Sequence, residues 1–196
     1  MKYTQVASDA FQKLQLNAGV ILTDFDPNDP GFVSSDIMGS TGGGVTFEAT
    51  PNFIDFGDGI DNVPADTKEL KQLDHWEVKM SGTFKTIDNE LGAKLCAAAD
   101  VTSGVISPRS YLKQTDFFDV WWVGDYSDVN TGDDAGYIAI EMKNVLSTGG
   151  LKVQSNDKEK GDFAFEFTAH SSLENIDLPP YNVYIEQGIS AQGASS

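Results

Sequence analysis

The chain has little of the residue types on which many catalytic and metal sites depend. Its 196 residues include one cysteine, Cys96, and two histidines, His75 and His170. A single cysteine excludes an internal disulfide, and the sequence has neither a paired Cys/His ligand set nor an HExxH motif. Cys96 stands among alanines in a predicted helix, which favours a small buried side chain over a nucleophile. Both histidines lie on polar faces of predicted strands, where solvent exposure is the ordinary state.

Basic residues are also scarce. The sequence has 13 Lys and Arg against 30 Asp and Glu, a formal net charge of −17. Such a surface repels phosphate and argues against tight nucleic-acid binding. Two interpretations remain open: the charge keeps the protein soluble, or it lines a surface that nucleic acid passes without adhering.

Long hydrophobic runs are missing as well. No stretch approaches the ~18 apolar residues of a membrane-spanning helix, and the N-terminal segment lacks the apolar run of a signal peptide. We therefore expect no membrane partner. Hydrophobic residues nevertheless make up 40% of the chain, and 19 glycines accompany 7 prolines. This composition predicts a folded, turn-rich β protein.

The strongest pattern that is present is the alternation from His75 to Ile87. Apolar and polar residues exchange at every position, which predicts a strand with one buried face. At about 3.3 Å per residue it would span roughly 40 Å, about twice the usual length. A similar strand is predicted from Val45 to Phe53. Pro51 in that strand predicts a sheet edge or a bulge, and the parity slip after Phe53 also predicts a bulge.

Residues 55–74 connect these two strands and are too many for a tight hairpin. Asp66 and Glu69 resemble a capping box, which predicts a helical turn within the connection. The segment is acidic yet keeps several apolar residues. We therefore expect it to dock, either on its own domain or on a neighbour.

Residues 88–99 predict one helix, with Asp88 as its N-cap and Leu91, Leu95, Ala98 and Ala99 on one stripe. Further strands are predicted at 19–22, 119–124, 137–146, 162–170 and 181–187, the last with Val183 and Ile185 inward. The glycine-rich residues 39–44 predict a flexible turn. The fold class expected is mainly β: an antiparallel β-sandwich or barrel with one flanking α-helix, a long inter-strand loop and terminal arms. The expected domain limits are an N-terminal arm at 1–18, one β domain at 19–188 and a C-terminal tail at 189–196.

The sequence offers few candidates for catalysis or ligand binding. The acidic loops at 55–66 and 125–134 do not match the spacing of an EF-hand, and the glycines at 39–44 lack the lysine of a phosphate loop. Thirty acidic residues guarantee some close carboxylate pair, so such a pair carries no signal for glycoside chemistry. Trp121 and Trp122 point in opposite directions on their strand, which favours core packing over a sugar-binding surface. We expect no enzyme activity, no metal and no cofactor.

Five stretches of the chain resemble the major tail proteins, or tail tube proteins, of long-tailed bacteriophages and prophages. They are NAGVIL at 17–22, GGGVTFEATPNFIDFGDGIDNVPADTKELKQLDHWEVKMSGTF at 42–84, WWVGDYSD at 121–128, LSTGG at 146–150 and KGDFAFEFTAHSS at 160–172. The long central block is the most specific of these. Together they span most of residues 17–188, whereas residues 26–31 and the segment after Gly188 carry no resemblance.

This resemblance implies hexameric rings that stack into a hollow tube through which the genome leaves. It implies that two long hairpins per subunit form the inner barrel, and that a long loop and terminal arms contact the next ring. By position, 45–53 with 75–87 would be one hairpin, and 137–146 with 162–170 the second. The implied stacking loop is 55–74. The implied partners are further copies of the chain, the tape-measure, tail terminator and distal tail proteins, and DNA in transient passage. The implied location is the virion tail, assembled in the bacterial host cytoplasm.

Two residue sets follow as candidates on this interpretation. The polar positions expected to face the lumen are Thr46, Glu48, Glu77, Lys79, Ser81, Thr83, Glu141, Glu166 and Thr168. The apolar positions expected in the inter-ring loop are Phe56, Ile60, Val63, Leu70 and Leu73. The alternative function is a β-sandwich binding module that recognises a carbohydrate or another surface ligand, through Trp121 and Trp122 or through the acidic loops.

Overall fold

The structure is a computed structural model that describes residues 6–7, 10–126, 136–155 and 157–186. Within these residues the chain is mainly β, with one seven-residue α-helix, α1 (Asn89–Leu95). The strands are β1 (Gln15–Leu22), β2 (Ile37–Gly39), β3 (Thr41–Asp55), β4 (Lys71–Phe84), β5 (Ala99–Thr102), β6 (Val105–Pro108), β7 (Phe118–Tyr126), β8 (Gly136–Ser147), β9 (Phe163–Thr168) and β10 (Tyr181–Glu186). Among the described helices, none is long and apolar enough to span a bilayer.

Eight strands form one antiparallel sheet in the order β2-β1-β7-β8-β9-β4-β3, with β10 also paired to β8. β8 carries two neighbours along one side: β10 pairs with its first half, and β9 pairs with Leu146 and Ser147 near its end. Side chains from β1, β4, β7, β8 and β9 meet in a single core, which shows that the sheet is curled. Tyr181 of β10 packs against Phe47 and Trp76, which joins β10 to the far side of this curl. This architecture confirms the expected antiparallel sandwich-like or barrel-like fold.

The core lies on the inner face of the curled sheet. Phe84, Phe167 and Met80 are fully buried there, and the ring centroids of Phe84 and Phe165 are 4.5 Å apart. Each such side chain stabilises the fold by about 1.5–3 kcal/mol relative to exposure. A smaller cluster on the opposite face of the sheet holds Leu22 and Trp121.

α1 closes one end of the core with Leu91 and Leu95. Asp88 is its N-cap as predicted, and its side chain accepts a hydrogen bond from the Leu91 N–H at 2.8 Å. The predicted span of 88–99 is too long, because Ala97 takes a positive φ of 63° and Ala99 begins β5. Ala98 and Ala99 therefore do not belong to the helical stripe.

β3 and β4 form the predicted long hairpin, paired from Thr41 opposite Phe84 to Asp55 opposite Lys71. β3 is an edge strand and its register shifts after Asn52, so the edge and the bulge expected around Pro51 are both confirmed. The flexible turn expected at residues 39–44 is wrong in part. Residues 41–44 belong to β3, where Gly43 and Gly44 adopt positive φ and produce a second bulge.

Three other sequence predictions are corrected. β1 begins inside the expected N-terminal arm of 1–18 and pairs with β7. Strands 137–146 and 162–170 do not form a second long hairpin, since β8 and β9 share two residue pairs and β9 pairs mainly with β4. Val183 and Ile185 are exposed, not inward. The expected C-terminal tail at 189–196 lies outside the described residues.

Residues 171–179 leave the sheet between β9 and β10, and we call them the excursion loop. Its ends are held at one place: the His170 N–H donates to the Lys143 carbonyl at 3.3 Å, and the Lys143 N–H donates to the Pro180 carbonyl at 2.9 Å. Leu173 within the loop is 92% exposed. The excursion therefore starts and finishes beside the same residue of β8.

Candidate functional site

The outward side chains of β3, β4 and β9 form one continuous surface, which we call the polar face. Strand register aligns them in rows across the three strands: Thr46 with Ser81 and Glu166, and Glu48 with Lys79 and Thr168. Glu77 lies opposite Thr50, and Thr83 lies opposite Ala164. Eight of the nine predicted lumen positions therefore share this face. The residues that alternate with them, such as Met80 and Phe167, are fully buried in the core.

Lys79 organises the charge on the polar face. It forms an ion pair with Glu77, and this hydrogen bond raises the pKa of Lys79, with further contributions from the charges of Glu77, Glu166 and Glu48. The same hydrogen bond lowers the pKa of Glu77. Three carboxylates against one ammonium leave this part of the surface with two net negative charges near neutral pH.

Glu141 is the predicted lumen residue that the structure does not place on the polar face. Its side chain is 14% exposed and accepts hydrogen bonds from Asn182 at 2.7 Å and Tyr184 at 3.3 Å. Burial, and then the nearby Glu141 charge, raises the pKa of Tyr184. Alternation along β8 predicts an exposed position for Glu141, but β10 covers it. Sequence periodicity contains no signal for that long-range pairing.

Thr148 belongs to the polar face, although its sequence position just after β8 gave no periodic signal. Its hydroxyl oxygen lies 3.0 Å from a carboxylate oxygen of Glu166 and 2.8 Å from the hydroxyl of Thr168. The surface therefore extends from β9 to the end of β8.

The connection between β3 and β4 is residues 56–70, which we call the tip loop. It is shorter than the predicted 55–74, because Asp55 and residues 71–74 are in the strands. Asp55 organises it: its carboxylate accepts the N–H groups of Gly57 at 2.8 Å and Asp66 at 3.1 Å. Val63 and Leu70 crowd around Gly57, where an added Cβ would lie 3.0–3.2 Å from them. The loop therefore packs on itself.

The tip loop also presents apolar side chains to solvent. Phe56 is 57% exposed and Ile60 is 51% exposed. Leu73, predicted in the loop, lies in β4 opposite Phe53, and both are exposed. The buried core clusters contain no residue of the tip loop. Four carboxylates at Asp58, Asp61, Asp66 and Glu69 against Lys68 give the loop three net negative charges.

The other candidate sites are not assembled in the described part of the chain. There, no group of three or more His, Cys, Asp or Glu side chains is placed to hold a metal ion. Most of the acidic loop at 125–134 lies outside the described residues. His75 is exposed and lies near Asn52, whereas His170 contacts the Asn144 carbonyl and the Phe117 ring.

The two tryptophans are packing residues. Trp121 is 7% exposed and lies among Phe25 and Tyr184, and Trp122 donates its indole N–H to the Ala18 carbonyl at 3.0 Å. They face opposite ways, as predicted. A separate cleft of about 650 Å³ lies between β1, β7 and the loop that carries Phe25 and Phe32. Its size is in the range of small-ligand sites.

Comparison of the chain with protein-family models and with curated protein sequences finds no match in either case.

Proposed function

We propose that this protein is a structural subunit of a phage tail tube, built from stacked and hexameric rings around a negatively charged lumen. The observation that carries the proposal is the β3–β4–β9 surface, which is polar and net negative on one face, buried on the other, and ends at β3 as an edge strand. An unpaired edge this long is an aggregation hazard in an isolated molecule. Pairing it with a sibling subunit removes the edge and continues the polar face around a ring.

A wall of this character suits passage of DNA. Its carboxylates repel phosphate, so a duplex is not retained by the counterion-release energy that basic surfaces provide. The tip loop suits the stacking of one ring on the next, because it carries exposed Phe56 and Ile60 at the far end of the same hairpin. The tape-measure, tail terminator and distal tail proteins remain proposed partners, the virion tail remains the proposed location, and no catalytic step is required.

Electron microscopy of the purified protein tests the proposal directly. Negative-stain images over a range of concentrations should contain rings or tubes with a central channel. A strictly monomeric protein at high concentration, with its tip loop docked on its own sheet, would contradict the proposal.

Deletion of Phe56 to Leu70, replaced by a short glycine-containing turn, tests the role of the tip loop. The variant should fold, because the core contains no residue from this loop, but it should not form tubes. A milder version replaces Phe56 and Ile60 with serine. Its control replaces Leu173 and Ile176 with serine. These residues lie on the excursion loop and are more exposed than Phe56 and Ile60, and the control should still polymerise. If the deletion variant forms tubes, the assignment of the tip loop is wrong.

The alternative function, a carbohydrate-binding or other ligand-binding module, is favoured by one observation, the cleft beside Phe25 and Phe32. A glycan array with the purified protein separates the two functions. Binding that is lost when Phe32 is replaced by alanine would support the module.

A further inference from the structure

The cleft of about 650 Å³ has one wall that is formed by an irregularity in β1. The register between β1 and β7 shifts between Leu16 and Val20, so residues 17–19 have no register partner in β7. Gly19 in this bulge has a φ of 69°. A Cβ at Gly19 would lie 2.6 Å from the indole nitrogen of Trp122, so glycine is required for the bulge to rest on that ring.

The opposite wall is the loop between β1 and β2, which carries Asp29 and Phe32. Tyr137 of β8 donates its hydroxyl hydrogen to the Pro27 carbonyl at 2.8 Å and so holds this loop against the sheet. Phe25 of the same loop packs on Tyr137, with ring centroids 5.4 Å apart. Contacts within the chain thus fix both walls, and the cleft is preformed.

The cleft offers a ligand hydrogen-bond acceptors and negative charge. Among the described residues that line it, two side chains can donate a hydrogen bond, and both already donate within the protein. Asn17 donates to the Asp125 carboxylate, and Tyr137 donates to the Pro27 carbonyl. The charged side chains in this described lining are Asp29 and Asp125, and it contains no lysine, arginine or histidine.

Three aromatic rings complete the lining: Phe25, Phe32 and Tyr137. The face of an aromatic ring attracts a cation and also packs against apolar groups. A carbohydrate needs donors as well as acceptors for its hydroxyl groups, and the side chains of the cleft have their donors engaged. A cation with an apolar body needs acceptors and ring faces, and the cleft supplies both.

We propose that this cleft binds a small organic cation, an ammonium group attached to an apolar body. The carboxylates of Asp29 and Asp125 hold the ammonium group through charge-assisted hydrogen bonds, and the apolar body packs on the aromatic rings. The net charge of −17 adds a long-range attraction for the cation. This inference goes beyond the proposed tube function, and its test does not require that the chain form tubes.

A matched pair of probes tests the proposal. 2-Phenylethylamine carries an ammonium group at neutral pH, and 2-phenylethanol has nearly the same shape without the charge. Titration calorimetry with the whole chain should give one saturable site for the amine and at least about tenfold weaker binding of the alcohol, because hydrogen bonds to charged groups are the stronger ones. Equal affinities for the two probes would overturn the proposal.

Carboxylate substitutions locate the site. Asp29→Asn and Asp125→Asn should each weaken binding of the amine at least about fivefold and leave binding of the alcohol unchanged. Phe32→Ala should weaken binding of both probes, because it removes a ring face that either one contacts. Both aspartates are exposed, so the variants should keep the thermal unfolding midpoint of the unmodified chain.

Asp58→Asn is the matched control, because it removes the same charge from an exposed position on the tip loop, outside the cleft. This variant should bind the amine as the unmodified chain does. Unchanged amine binding in Asp29→Asn, or an equal loss in Asp58→Asn, would overturn the proposal. Should Asp125→Asn not fold, Asp29→Asn alone decides the outcome.

Discussion

The two halves of the β3–β4 hairpin lie on either side of the bulge after Asn52 and have different surroundings. In the half near Phe84, Val78 and Met80 are fully buried beneath the polar face. In the half near the tip loop, Phe53 is 54% exposed and Leu73 is 44% exposed. The difference shows that strand pairing places side chains on the two faces of a hairpin but does not determine what covers each face. The outer half contributes little to the buried core, as the contacts between copies in the proposed tube would require.

The largest contrast between the halves should come from matched phenylalanine truncations. Phe167→Ala removes a fully buried ring next to the inner half and should lower the free energy of unfolding by about 3–5 kcal/mol. Phe53→Ala removes a half-exposed ring and should lower it by less than about 1 kcal/mol. Urea denaturation of both variants measures the difference. Equal losses would mean that the outer half packs on the core in solution.

A smaller contrast is expected for two glycines. An added Cβ at Gly82 would lie 2.9 Å from the Phe165 ring, so Gly82→Ala should cost about 1–3 kcal/mol. Phe165→Leu in the same chain should recover part of that loss. At Gly59, in the tip loop, φ is +77° and nothing lies within 4 Å of an added Cβ, so the cost of Gly59→Ala is conformational, about 1 kcal/mol.

Gly59→Asn provides the control for this pair, because asparagine tolerates positive φ and should restore most of the loss at that position. The same thermal or urea unfolding series measures all four variants. If Gly82→Ala alone left the free energy of unfolding unchanged, the crowding explanation would be wrong.

The smallest expected effect is a pH dependence confined to the tip loop. A hydrogen bond from Lys71 at 2.7 Å lowers the pKa of Asp66 below its ordinary value near 3.8. Because the folded-state pKa is lowered, the stabilisation is complete above the unfolded-state pKa and is lost as the pH falls through the folded-state pKa. The protection factors of the Gly57 and Asp66 amides, that is their exchange rates relative to an unfolded chain at the same pH, should therefore fall below about pH 4 before those of core amides do.

Asp66→Asn removes this titration, so the acid-dependent loss of protection should disappear in that variant. The same loss of protection at the same pH values in both chains would assign the effect to another acidic group of the loop.

Local features of this fold were predictable because short-range chemistry determines them. Asp88 caps α1 through its own side chain, Pro51 cannot donate in a ladder and lies on an edge strand, and the parity slip after Phe53 marks a bulge. The polar face was predictable for the same reason, since a period of two assigns each side chain to one face.

Features that depend on distant partners were not predictable in this way. Glu141 has the alternation of an exposed residue, but Asn182 and Tyr184 of β10 cover it. Val183 and Ile185 have the alternation of buried residues, yet little packs against them. The β8–β9 pairing is short because β10 occupies the first half of β8. Each case depends on strand order, which periodicity does not encode.

The common anchor of the excursion loop at Lys143 has a practical consequence. Because both ends of residues 171–179 meet at one residue of β8, a peptide inserted near Leu173 would lengthen a surface excursion without shifting any strand register. The site is therefore suited to display: each copy of the chain would carry one guest epitope, and the tube that we propose would repeat it at regular spacing along its length.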